Sequence, residues 1–132
     1  DPDSHFNLAS LYGNSRKFVQ ASREFDRADA LYKMKGQNPP EQFFYDKSRA
    51  HNQAGIELIQ SQKFDDALIQ LEKSVRHNPG LISARFNLAK LLLTLKKDTK
   101  KAKMHIKAAL ALKPNPEQKQ TLKALLNQTN NQ

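Results

Sequence analysis

Apolar side chains recur at three- and four-residue steps along most of this chain, with small residues at fixed places among them. That pattern predicts amphipathic helices that pack closely. The clearest stretch runs from Ser48 to Leu81. His51-x-x-Ala54-Gly55-x-x-Leu58 is followed by Ala67-x-x-x-Leu71 and then by Pro79, and Gly55, Ala67 and Pro79 fall twelve residues apart. Ala54, Gly55, Ala67 and Ser74 are small enough to let two antiparallel helices approach. Leu58, Leu68, Leu71 and Val75 fill the space between them, and Pro79 ends the second helix.

The same pattern stands on either side. Leu8-Ala9-x-x-Tyr12, a turn at Gly13-Asn14-Ser15, and Ala21-x-x-x-Phe25-x-x-Ala28 predict a first hairpin, and Lys17-Phe18-x-x-Ala21 is echoed by Lys63-Phe64-x-x-Ala67. Its second helix meets no proline where one would end it, so it is expected to run through Leu31, Tyr32 and Met34 to Gly36, with Pro39-Pro40 closing the turn. Leu88-Ala89-x-x-Leu92 and Ala102-x-x-x-Ile106-x-x-Ala109, ended by Pro114, predict a third hairpin. One extra residue sits in its Lys96-Lys97-Asp98-Thr99 turn, and Asp98 is placed to cap the helix that follows. Asn115-Pro116-Glu117-Gln118 reads as one more helix start. Leu122, Leu125 and Leu126 give that helix a single apolar stripe, and Gln128 to Gln132 are expected to fray.

Three hairpins of this kind resemble the tetratricopeptide repeat (TPR) family, whose roughly 34-residue pattern is Trp-x-x-Leu-Gly-x-x-Tyr, Ala-x-x-x-Phe, Pro. The resemblance covers about residues 2–114. It implies an all-α fold, a right-handed α-solenoid of three helix-turn-helix repeats plus a C-terminal capping helix, in one domain. The repeats are placed at 2–40, 41–81 and 82–114, the cap at 115–127 and a disordered tail at 128–132. Ala21 and Ala67 lie 46 residues apart, twelve more than one repeat. Glu41 to Lys47 has no breaker and can join the helix that continues to Gln60. The first and second repeats then share a hairpin lengthened by about 9 Å, in which Leu31, Tyr32 and Met34 face Phe43, Phe44 and Tyr45. Tyr32 and Phe44 are candidates for a partner contact at its tip.

Composition narrows the function. With no cysteine, neither disulfides nor thiolate metal sites are available, and the compartment stays open between cytoplasm and periplasm. No apolar run approaches the ~18–20 residues of a membrane-crossing helix. The chain begins at Asp1 without a methionine, so a processed form or a domain of something longer is expected. His5, His51, His77 and His105 have no ligand-spaced neighbours on one helical face. His51 takes a slot that the family often gives to a bulky aromatic, which points to packing. Asp65-Asp66 fall in a first helical turn, where carboxylates favourably meet the macrodipole. No nucleophile elbow or glycine-rich phosphate loop is present. The expectation is a non-catalytic chain with no cofactor and no metal.

Binding remains, and the resemblance implies where. In this family the first helices of successive repeats line a concave groove that receives a peptide. Helical spacing opposite the core stripe assigns to that face Phe6, Asn7, Ser10 and Asn14, then Arg49, Gln53, Ile56 and Gln60, then Phe86, Asn87, Lys90 and Leu93. The amides can bond an extended backbone. One subgroup of the family clamps the C-terminal carboxylate of chaperones of the 70 and 90 kDa classes with two asparagines and several cations. Asn7 matches that set, but Gln53 replaces the second asparagine, Ser83 and Asn87 stand where cations are wanted, and Asp3 takes the place of a lysine. Arg49 and Lys90 can still attract an acidic peptide by another arrangement. The expected partner is a protein or peptide, with the chain itself a monomer or weakly self-associating.

Two alternatives come from elsewhere in the chain. The edges or the aromatic hairpin can support a self-assembling scaffold. The net charge of +9 also allows electrostatic binding of nucleic acid or an anionic surface, since ten lysines between Lys90 and Lys123 meet only Asp98 and Glu117. Lysines with few interleaved aromatics argue against nucleic acid.

Overall fold

The computed structural model describes residues 1–130. Among them are seven α-helices and no strand, in two compact units that divide between Asn78 and Pro79. The all-α expectation holds.

The first unit holds α1 (Pro2–Asn14), α2 (Phe18–Met34), α3 (Phe43–Gln60) and α4 (Phe64–His77). Asp1 caps α1 by accepting the Asp3 N–H, and Pro2 follows where its missing N–H costs nothing. Fully buried alanines mark the closest approach of α1 and α2, at Ala9 and Ala21. The crossing of α3 on α4 is tight. A Cβ added at Gly55 would sit 2.7 Å from both Cγ and Cδ2 of Leu71, which is itself fully buried. Toward the start of α3 and the end of α4, Ser48 and Ser74 bond reciprocally across the pair: Ser48 Oγ donates to the Ser74 carbonyl at 2.9 Å, and Ser74 Oγ to the Ser48 carbonyl at 2.7 Å. Asn78 is extended, as a residue before proline must be, and α4 stops there.

The second and third helices run for 17 and 18 residues. Glu41 and Gln42 lie in a turn, and α3 begins at Phe43, whose N–H bonds the Pro40 carbonyl at 2.9 Å. The Phe43 ring is fully buried, with Phe6, Phe25, Tyr32 and Phe44 around it at centroid distances of 5.2, 5.7, 5.3 and 5.2 Å. Such edge-on pairs add to the gain from burial. Tyr32 belongs to this core, and its hydroxyl donates to Asp3, so it is not a contact at a hairpin tip. Met34 and Tyr45, 77% and 59% exposed, stay out of the cluster.

The second unit holds α5 (Ile82–Thr94), α6 (Thr99–Ala111) and α7 (Pro116–Asn130). Ala84, Leu88, Ala89 and Leu92 of α5 and Ala102, Ile106 and Ala109 of α6 are buried, and α7 adds Leu122 and Leu125. Asp98 accepts the Lys101 N–H at 2.9 Å and caps α6. Asn115 and Gln118 form a reciprocal capping box, each side chain accepting the other's backbone N–H at 2.8 and 2.9 Å. The expected fraying does not begin at Gln128: α7 continues to Asn130, with Thr129 buried and its hydroxyl bonded to the Leu126 carbonyl. Residues 131 and 132 lie outside the described residues.

Four helix ends share one closure. Arg16, Gly36, Gln62 and Lys96 take positive φ near 60°, and the next N–H bonds the carbonyl five residues back: Lys17 to Tyr12, Gln37 to Tyr32, Lys63 to Leu58 and Lys97 to Leu92. This is the Schellman arrangement, and glycine suits it best. Only Gly36 supplies one.

Candidate functional site

The first unit carries an open cleft of about 690 Å³ between α1 and α3, with the start of α2 at its end. Ala9, Ser10, Gly13 and Asn14 line it from α1, and Asp46, Arg49, Ala50 and Gln53 from α3. Phe25 forms the floor. Arg16 and Phe18 close one end, the Arg16 guanidinium 5.8 Å from the Phe18 ring centre, in cation–π range. Helical periodicity explains the α3 wall, since Asp46, Arg49 and Gln53 recur on one face while Ala50 beneath them is buried.

Four residues of the expected groove, Ser10, Asn14, Arg49 and Gln53, therefore meet in one cleft. The others do not line it. Phe6 is packed against Phe25 and Phe43, because the flank of α1 away from the small-residue stripe is turned toward α3. Asn7 and Gln60 are exposed outside the cleft, and Ile56 is half-buried. On α5, in the second unit, Phe86 and Asn87 are half-buried and Lys90 is exposed, its ammonium 5.9 Å from the Phe86 ring centre. Leu93 is 5% exposed, since the run Leu91-Leu92-Leu93 makes α5 apolar around much of its circumference; it is a core residue rather than a groove residue. Phe44, 37% exposed, stacks on His77 at 5.9 Å. Arg16, Phe18 and Asp46 are lining residues that the spacing rule missed. The first two belong to the turn and the opening of α2, outside the faces the rule covers.

A second polar group lies inside the same unit, where α2, α3 and α4 meet. Lys47 is buried, and its ammonium donates to Asp29 Oδ2 at 2.6 Å and lies 3.5 Å from Asp26 Oδ1. Lys73 donates to Asp26 Oδ2 at 3.0 Å. The fully buried His51 has Nδ1 2.6 Å from Gln70 Oε1 and Nε2 3.2 Å from Asp26 Oδ1. Burial alone would raise the Asp26 and Asp29 carboxyls. The hydrogen bonds and charges of His51 and Lys73 on Asp26, and of Lys47 and Lys33 on Asp29, outweigh it and hold both below the usual carboxylate range. Burial, with Lys47 and His51 nearby, pushes the His77 imidazole down to about 4. On the other flank of α2, the His5 ring bonded to Glu24 lowers that carboxyl against the opposing effect of burial, and Arg27 lowers it further.

Every charged group in this network has a protein partner and none lines the cleft, so its chemistry is that of a partly buried strut. Among the described residues no cluster of three His, Cys, Asp or Glu is arranged to hold a metal, and no helix is long and apolar enough to cross a membrane.

Paired helices with alanine and glycine crossings and a cleft between first helices make up a TPR-like all-α fold. Solved structures agree on the fold. The TPR2B domain of yeast Sti1, determined as a complex with pHsp70, aligns with a TM-score of 0.60 at 14% identity, over 98% of this chain and 96% of that one. The C-terminal TPR-containing domain of a Plasmodium falciparum FK506-binding protein gives 0.57 at 10% identity, over 98% and 89%. The Yersinia enterocolitica type III secretion translocator chaperone SycD, in an alternative dimer, gives 0.54 at 19% identity, over 98% and 91%. No family model matches the chain, and no curated protein does.

Proposed function

We propose that this chain is a non-catalytic protein–protein interaction module, and that the α1–α3 cleft receives an extended, acidic segment of its partner. The observation that carries this reading is the lining: two guanidiniums, Arg16 and Arg49, and the amides of Asn14 and Gln53 around one open trough. Amides can bond a peptide backbone, and guanidiniums bind carboxylates in a planar, two-bond geometry. Asp46 at the same wall gives an incoming cation a partner as well, and so sets a register for a segment of mixed charge. The fold neighbours include one determined with a bound partner, the TPR2B domain of Sti1, and one that is a secretion chaperone, SycD. The chaperone-tail clamp is not part of this reading, because Asp3 is occupied by the Tyr32 hydroxyl and stands where that clamp uses a cation.

The test is affinity capture with the purified chain, repeated with Arg49→Ala and with Gln53→Ala. Loss of the same partner in both, with the fold intact by circular dichroism, supports the cleft. Retention in both removes it.

A second reading has its own observation. Met34 and Tyr45 are large, exposed apolar residues on the two arms of the lengthened hairpin, as a self-assembly contact requires. Sedimentation equilibrium separates the two: a mass that rises with concentration and returns to the monomer in Met34→Glu favours assembly, whereas a constant monomer mass excludes it.

A further inference from the structure

The net charge of the chain is carried by its second unit. Residues 1–78 hold eleven Lys and Arg against eleven Asp and Glu, whereas residues 79–132 hold eleven against two, Asp98 and Glu117. In the first unit many cations meet carboxylates: Lys47 and Lys33 with Asp29, Lys73 with Asp26, Arg27 with Glu24. Three lysines of α6 differ. Lys100, Lys103 and Lys107 recur at three- and four-residue steps away from the buried stripe of Ala102, His105, Ile106 and Ala109, with Lys100 and Lys107 exposed opposite it and Lys103 half-buried on its flank. None of the three forms an ion pair among the described residues, and Lys103 reaches only Asn130 Oδ1, at 3.4 Å.

The placement is unfavourable in two ways. Like charges at these steps repel each other along a helix. Lys100 also stands in the first turn of α6, where the macrodipole is positive and where α4, by contrast, carries Asp65 and Asp66. Amid these lysines Met104 is 56% exposed, with Ala111 also exposed one turn past Lys107.

We propose that this face of α6 is a second docking surface, distinct from the cleft, and that it takes an acidic amphipathic helix of a protein partner. Carboxylates spaced three and four residues apart on such a helix match the steps of Lys100, Lys103 and Lys107. An apolar side chain between them meets Met104, whose flexible thioether adapts to varied shapes. Nucleic acid fits less well: residues 79–132 contain one arginine, Arg85, and one aromatic, Phe86, and the Arg85 side chain bonds the Pro79 carbonyl and His105 rather than this face. An anionic membrane fits less well because interfacial anchoring uses large aromatic or aliphatic groups, and Met104 is alone on the stripe.

The test uses the whole chain and a labelled synthetic helix of glutamate and leucine at three- and four-residue spacing, followed by fluorescence anisotropy in low and high salt. Its Glu→Gln counterpart, poly(U) RNA and phosphatidylserine vesicles are run alongside. Binding of the acidic helix, absent for the glutamine counterpart, is expected to weaken about tenfold in Lys100→Gln/Lys103→Gln/Lys107→Gln. A variant that loses the same charge elsewhere in the unit, Lys96→Gln/Lys119→Gln/Lys123→Gln, is expected to weaken it less than about threefold. Met104→Gln is expected to weaken binding without changing its salt dependence, and Arg49→Ala to leave it unchanged, which separates this surface from the cleft. Equal loss in the two triple variants, tighter binding to RNA or vesicles than to the helix, or no binding of the helix overturns the proposal.

Discussion

Replacing Gly55 by alanine tests the close crossing of α3 on α4. A Cβ there would lie 2.7 Å from Leu71 Cγ and Cδ2, where carbons in good contact sit about 3.5–4.0 Å apart. Leu71 must move by about 1 Å, and it is fully buried, with Cγ as well as a terminal methyl in the way. Overpacking of this kind costs about 1–3 kcal/mol, and exchanging glycine for alanine inside a helix returns about 1 kcal/mol. The net expectation is a loss of about 1 kcal/mol for Gly55→Ala and more than about 2 kcal/mol for Gly55→Leu. Gly13 is the control: a Cβ there meets nothing within 4 Å, so Gly13→Ala is expected to stabilise by up to about 1 kcal/mol. The decisive variant combines Gly55→Ala with Leu71→Ala. With the obstructing side chain gone, the same glycine exchange changes sign and stabilises relative to Leu71→Ala alone. Urea unfolding followed by far-UV circular dichroism measures all five. If Gly55→Ala behaves like Gly13→Ala, or keeps its sign in the Leu71→Ala background, the crossing is not as tight as described.

Three other expectations come from the same unit. Lys47→Ala leaves the buried Asp29 with only the longer, exposed Lys33 contact and is expected to cost about 3 kcal/mol in urea unfolding, while Lys47→Met/Asp29→Leu, which removes both charges, costs much less. Acid is expected to destabilise the fold in two stages. His77 ordinarily titrates at 6.5 and here near 4, so between those values the unfolded chain takes a proton that the fold refuses, and stability falls with pH; His77→Phe flattens that slope. Below about pH 5 the depressed Glu24, Asp26 and Asp29 carboxyls add a second loss, since the unfolded groups, ordinarily at 4.5 and 3.8, protonate first. Thermal melts across pH check both stages. Gln62→Gly relieves a left-handed backbone at the turn after α3 and is expected to stabilise by about 0.5–1 kcal/mol, the steric relief less the added chain entropy; a loss in the melt would contradict the strain.

The hairpins were legible because close packing demands small residues at repeated places, and Ala9, Ala21, Ala54, Gly55, Ala67, Ala89 and Ala102 mark them in the sequence itself. Both side-chain caps of the second unit, Asp98 and Asn115, were legible for a similar reason, since a cap is made within a few residues of its own helix. Phe6 and Tyr32 were misplaced because a helix in such a repeat has two buried flanks, one toward its hairpin partner and one toward the next hairpin, and spacing identifies only the first. The network of Asp26, Asp29, Lys47 and His51 was hidden for a different reason. Charges three or four apart on a helix normally face water, and only the approach of α2 to α3 turns these inward. Ser10, Asn14, Arg49 and Gln53 could be named as cleft residues by periodicity, whereas Arg16 and Phe18 depend on a left-handed turn that no glycine announces.

The reciprocal serines of α3 and α4 have a consequence for how this repeat can vary. Leucines and alanines at a helix interface tolerate a small slide, because apolar contact has no direction. Ser48 and Ser74 each reach the other's carbonyl, so a shift by one residue strands two hydroxyls in a dry seam at about 1–3 kcal/mol apiece. They act as a dowel through the joint: the surrounding hydrocarbon is free to drift in sequence while the two rods keep their alignment.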